Sequence, residues 1–328
     1  MPRSLLLFAS ALVVSACAAE APAGPAPGPA PAPAPAPQTP GATPSAPDAP
    51  AEPKLTVEAI TPSLHVLFGP GGNIGVSSGA DGVVLIDDKF AANAEEILFR
   101  VGEITDGNGA ASDLLFVINT HLHGDHTGSN PQMKAAGALI LGHDNIRKRM
   151  QESYFSHQFQ REIEAKDESF LPVVTFADRA SLHFNGVTAH AIHVPSAHTD
   201  GDSIVHLVEP DVIHMGDNLF LNMFPFVDVD SGGSMQGMIA AHDAALAMAG
   251  PDTTIIPGHG PITDAEGLRG ARDMLQSVLD RVRVRKEAGE SLQAIIDADP
   301  LADLAELEGF ITRPAIITAA WRSLGGAF

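Results

Sequence analysis

Residues 120–128 read Thr120-His121-Leu122-His123-Gly124-Asp125-His126-Thr127-Gly128, which packs three imidazoles and a carboxylate into six consecutive positions. With 14 histidines in 328 residues, such a cluster is improbable by composition. In an extended stretch His121 and His123 point to the same side, so one cation can take both rings. Asp125 and His126 follow Gly124, a residue able to turn the backbone sharply, and can then face a second cation beside the first. Three later residues share the same setting, each just after an apolar run. They are His198 in Pro195-Ser196-Ala197-His198-Thr199, Asp217 in Gly216-Asp217-Asn218-Leu219-Phe220, and His259 in Pro257-Gly258-His259-Gly260. None is telling alone; their value is joint. The only cysteine is Cys17, near the N-terminus, so a metal in the folded part must be held by His and carboxylates. Nitrogen and oxygen donors without thiolate suit zinc.

These residues need a rigid support. Short apolar runs rich in β-branched residues predict strands over 64–68, 74–77, 83–86, 114–118 and 138–141, with helices over 91–101 and 130–136. The stretch 143–169 reads as polar and helical. A second group of strands is predicted over 173–176, 181–184, 187–194, 203–208 and 212–214, with a last strand over 254–256. Helices are predicted over 235–248, with Ser234 as N-cap, over 265–288, and near Trp321. The 120–128 cluster thus follows a buried strand, as an exposed loop on a firm base. Two strand-rich halves, each carrying helices, predict two sheets packed face to face with helices outside. Five histidines, His143, His193, His206, His214 and His242, carry no motif and read as structural. Phe224, Pro225 and Phe226 read equally as pocket wall or packing, and the role of the 228–233 loop stays open.

The set Thr-His-Leu-His-Gly-Asp-His, Ala-His-Thr, Gly-Asp-Asn-Leu-Phe and Pro-Gly-His-Gly, in this order, resembles the metallo-β-lactamase superfamily over nearly all of residues 60–265. The resemblance implies an α/β fold, the αββα sandwich, with a metal site at one edge. It implies one zinc held by His121, His123 and His198, and a second held by Asp125, His126 and His259. Asp217 stands where many members place a bridging carboxylate. Related diiron oxygen-reducing proteins carry an acidic residue where this chain has His123, which argues against iron redox chemistry. Asp87 matches a family aspartate near the metals and would fix a ligating imidazole; a turn residue ending its strand is the alternative. The implied reaction is a zinc-bound hydroxide attacking a carbonyl, with Asp125 orienting the hydroxide or passing a proton.

With 19 basic and 40 acidic residues the net charge is −21, which disfavours nucleic acid as a partner; the family resemblance implies a small-molecule carbonyl substrate instead. Arg3 and the apolar run 5–14 form a targeting segment too short to span a bilayer. Val14-Ser15-Ala16-Cys17 resembles a bacterial lipobox, which would make Cys17 a lipid anchor; an ordinary cut after Ala16 or Ala18 is the alternative. Either implies export, with the periplasm as the expected address. Residues 18–53 are nearly all Ala and Pro and read as an extended spacer, with the hydrolase domain over 54–328. Export favours β-lactam hydrolysis. The absence of a cysteine at position 217 and the Gly-Asp-Asn-Leu-Phe motif favour a lactone, ester or thioester. A tethered metal-binding module without catalysis is the reading from another class.

Overall fold

The computed structural model describes residues 55–105 and 113–326. The expected signal peptide, lipobox and Ala/Pro spacer therefore lie outside the described residues. One seven-stranded sheet has the order β1 (Thr56–Thr61), β2 (Leu64–Phe68), β3 (Ile74–Gly79), β4 (Gly82–Ile86), β5 (Leu114–Ile118), β6 (Leu139–His143) and β9 (Val174–Phe176). A separate two-stranded hairpin, β7 (Tyr154–Ser156) and β8 (Arg161–Ile163), lies between β6 and β9 in sequence. A five-stranded sheet contains β10 (Arg179–Phe184), β11 (Val187–His193), β12 (Ser203–Leu207), β13 (Val212–His214) and β14 (Thr254–Ile256).

Alternation along the strands explains why the sheets stack. On β4, Val84 and Ile86 face the other sheet, where they meet Ala189, Ala191, Val205 and Val212. Their neighbours Val83 and Leu85 face outward onto α1 (Ala94–Ile104), packing with Ile97 and Val101. On the second sheet Val205 and Val212 face inward, while Ile204 and Ile213 meet the helices on the far side. Those helices are α5 (Met235–Met248), α6 (Ala265–Glu287), α7 (Leu292–Ala298) and α8 (Arg313–Ser323). The short helices α2 (Gly124–Thr127), α3 (Asn130–Ala135) and α4 (Asp144–Met150) belong to the first half. The result is the expected αββα sandwich with C-terminal helices.

The strands run so that the residues of interest meet at one edge. β4 and β5 are parallel, as are β13 and β14, and β11 pairs antiparallel with β12. The C-terminal ends of β4, β5, β11, β13 and β14 release the segments carrying Asp87, the 120–128 loop, His198, Asp217 and His259.

Several expectations are corrected. Residues 143–169 are not helical throughout: α4 ends at Met150, and the hairpin β7–β8 follows. Its strands have three residues each, too short for a period to emerge, and Gln160 takes φ 51° in the turn. β9 belongs to the first sheet, pairing parallel with β6, and not to the second group. β1 went unread because it is an edge strand with mostly exposed side chains. Gly124 does not turn with a positive φ; one helical turn, α2, does that work, with His126 N–H donating to the His123 carbonyl at 3.0 Å.

Candidate metal centre

All seven side chains singled out in the sequence converge. His121, His123, His198 and Asp217 form one group of potential donors, and Asp125, His126 and His259 a second. Within each group the donor atoms lie within 4.8 Å of one another. Asp217 stands between them: Oδ2 is 3.7 Å from His121 Nε2 and 3.6 Å from His198 Nε2. Its Oδ1 is 2.9 Å from His126 Nε2 and 3.4 Å from His259 Nε2.

What orients each ring can be followed atom by atom. His126 Nδ1 is 2.7 Å from Asp87 Oδ2, leaving Nε2 for the centre. The Thr120 hydroxyl donates to the same Asp87 oxygen at 2.7 Å and stands 3.0 Å from His121 Nδ1, so His121 also offers Nε2. His198 Nδ1 donates to the Phe226 carbonyl at 2.7 Å, again leaving Nε2. His123 is reversed. Its Nε2 pairs with Asp228 Oδ2 at 2.9 Å, and its Nδ1 lies 2.8 Å from His198 Nε2. Partners on the outer nitrogen fix tautomer and ring direction.

The donors fit a cation. His121 Nε2, His126 Nε2 and Asp217 Oδ1 are buried without a hydrogen-bonding partner; the last two are close but not aligned to bond. Such orphans cost about 1–3 kcal/mol each unless something takes their lone pairs. Charge points the same way. Burial would raise Asp217, but His126, His259 and His121 hold it well below the usual carboxylate range. Burial would lower His259, yet Asp217 and Asp125 lift it to about 9. His126 is likewise driven up against burial by Asp217 and Asp125. The carboxylates thus draw positive charge into this centre. His121 moves down, chiefly through burial and then the neighbouring His126.

Sequence reading missed part of this framework. Asp228 sits in the loop whose role was open, and no motif marks it. Burial would raise its carboxyl, but the bond to His123 brings it to about 2. Lys89 is fully buried, donates to the Gly72 carbonyl at 2.5 Å, and is pushed down to about 8 by burial. Asp87 takes φ 66°, a conformation that Asp and Asn tolerate better than most residues. Its other oxygen accepts Thr120 N–H at 2.7 Å. Of the motif-free histidines, His143, His193, His214 and His242 each place a ring nitrogen on a backbone carbonyl, so their roles are structural. Phe224 and Phe226 both line the cavity over the centre.

Known proteins share this fold. The family model of the metallo-beta-lactamase superfamily matches residues 71–259. The chain belongs to that superfamily. A curated member-like relative, the lactamase-like protein aptB of Emericella nidulans, is 22% identical over 209 residues, 64% of this chain and 56% of that protein. The chain therefore matches little more than half of that relative's length. Among solved structures, a metallo-beta-lactamase from Pontibacter korlensis aligns with TM-score 0.56 at 18% identity, covering 68% of this chain and 99% of that one. The inverting sec-alkylsulfatase Pisa1 from Pseudomonas sp. aligns with TM-score 0.61 at 16% identity, covering 84% of this chain and 51% of that one. At these identities the likeness is one of fold. As a superfamily member this chain carries a cluster of His and Asp side chains that could hold metal.

Asp87 gives the superfamily member's centre a measurable dependence. Asp87→Asn keeps the tolerated backbone conformation but removes the charge and one acceptor. Metal affinity, read by competition with a chromogenic chelator, is expected to fall about 10–100-fold. An unchanged affinity would mean that His126 is oriented by other contacts.

Proposed function

We propose that the chain is a dizinc hydrolase of a small-molecule carbonyl substrate, with a β-lactam as leading candidate and a lactone, ester or thioester as alternative. The observation that carries this reading is the convergence of seven donor residues, four of which (His123, Asp125, Asp217 and His259) line a cavity of about 580 Å³. His121, His123 and His198 would hold one zinc and Asp125, His126 and His259 the other, with Asp217 shared between them. Bound zinc supplies Lewis acidity and lowers the pKa of water at the site to about 7.

The remaining work falls to the chain. Asp125 opens onto the cavity and is held at about 2, where burial is outweighed by His126 and His259. It stays ionised at neutral pH and can accept a hydrogen bond from the attacking water, fixing its direction. His259 Nε2 lies 3.3 Å from Asp125 Oδ2, a separation at which both could reach one cation. Apolar walls exclude bulk water, which strengthens every charge interaction inside. The β-lactam preference draws on the export signal in the sequence and on the metallo-beta-lactamases among the structural neighbours. On the sequence signal alone, the domain is proposed to work in the periplasm, tethered through Cys17.

The test is zinc-loaded protein assayed against a cephalosporin reporter, a lactone and a thioester, with His121→Ala as control. About two zinc per chain are expected, with hydrolysis abolished by chelation and restored by zinc. No β-lactam turnover above the control rejects the leading substrate. Full metal content with no turnover on any of the three favours the metal-binding module.

A further inference from the structure

We infer that the substrate of this site carries a bulky, uncharged, apolar group lying along a ladder of aromatic rings that climbs from the metal centre to the rim of the cavity; this rests on the hydrolase reading above. The ladder is continuous. Phe226 stacks on His123 with centroids 5.5 Å apart and planes at 26°. Phe159, in the turn of the β7–β8 hairpin, lies 5.4 Å from Phe226, and Phe310 lies 6.0 Å from Phe159. Across the cavity Phe220 stacks on His259 at 4.9 Å and 14°, and Phe90 stands on the same lining.

Exposure grades along this path. Phe226 is 9% exposed, Phe159 39% and Phe310 70%, and Phe90 is 45% exposed. Large rings held at a cavity mouth leave apolar area in water, and a ligand seated in the cavity would cover it. A volume of about 580 Å³ falls in the middle of the range for small-molecule sites, far more than a scissile carbonyl needs.

Above the metal centre, whose Asp125 and Asp217 also line the cavity, the ionic groups of the wall cancel. Arg149 is committed to Asp200 through contacts of 2.5 and 2.6 Å. That leaves Arg161 and Lys166 against Glu152 and Glu164. With no net charge on that wall, apolar area, not an ion pair, selects the group that occupies it.

The test is binding, which needs no turnover. The probe is N-phenyl-1-naphthylamine, a neutral dye that brightens in an apolar site, added to the zinc-loaded full chain and displaced by n-alkanols from butanol to decanol. Saturable binding is expected, with alkanol affinity rising about threefold per added methylene. Phe159→Ser combined with Phe310→Ser should weaken the dye about tenfold. Phe99→Ser, equally exposed at 59% but on α1 and outside the cavity, should leave it unchanged. The inference falls if alkanol affinity is flat with chain length, or if Phe99→Ser weakens the dye as much as the rim pair. Dye binding that follows the rim residues in a protein that hydrolyses none of the carbonyl panel would overturn the hydrolase reading and leave the apolar site standing.

Discussion

Replacing Asp217 with Ala is expected to lower kcat/KM by on the order of 10³-fold, because in the proposed dizinc hydrolase the metals would contribute several kcal/mol of transition-state stabilisation and this residue stands between both donor groups. Its two oxygens approach His121 and His198 on one side and His126 and His259 on the other. Removing it also leaves four imidazoles facing one another without their shared counter-charge. Metal content should drop below two per chain in the same variant, measured by elemental analysis after gel filtration. A variant that retains both zincs and at least a tenth of the activity would show that the two histidine-rich groups hold their cations without this carboxylate.

Gly258→Ala is expected to be nearly as damaging, although it adds one methyl group. A Cβ at position 258 would lie 2.1 Å from Asp217 Oδ1 and 2.6 Å from the Gly216 backbone carbonyl. Gly258 N–H itself donates to the Gly216 carbonyl at 2.7 Å, so the two loops are already in contact. Overpacking of this kind costs about 1–3 kcal/mol, and here the strain falls on the carboxylate between the two donor groups. A lower melting temperature together with a loss of activity of at least 100-fold is expected. Gly270→Ala, on α6 with open space around it, is the matched control, and equal effects in the two variants would refute the packing argument.

The extent to which the site was legible in the sequence follows from how local its parts are. The 121–126 cluster declares itself because four donors fall within one turn of chain. His198, Asp217 and His259 are single residues on separate loops, and only their shared position after strands and the family resemblance picked them out. Asp87 was half-legible for the same reason. Asp228 and Lys89 were not: each acts through a contact made possible only by tertiary packing, with His123 across 105 positions or with the Gly72 carbonyl. The sandwich was legible because two groups of short apolar runs, each accompanied by helical stretches, call for two stacked sheets with helices outside, and because the family resemblance implies the same fold. The hairpin was not, nor was the sheet that β9 joins. Three-residue strands carry no usable period, and which sheet an isolated strand joins is decided by its neighbours, not by its own side chains.

Each group of donors takes members from both sheets: 121 and 123 with 198 and 217, and 125 and 126 with 259. Neither half of the sandwich can therefore assemble a complete coordination set by itself. An ion bound here would act as a rivet through the seam between the halves. The cavity lined by His123, Asp125, Asp217 and His259 would leave that ion a path to solvent, so a chelator could draw it out while the layers stay together, and the emptied seam would then lose a tie between the halves.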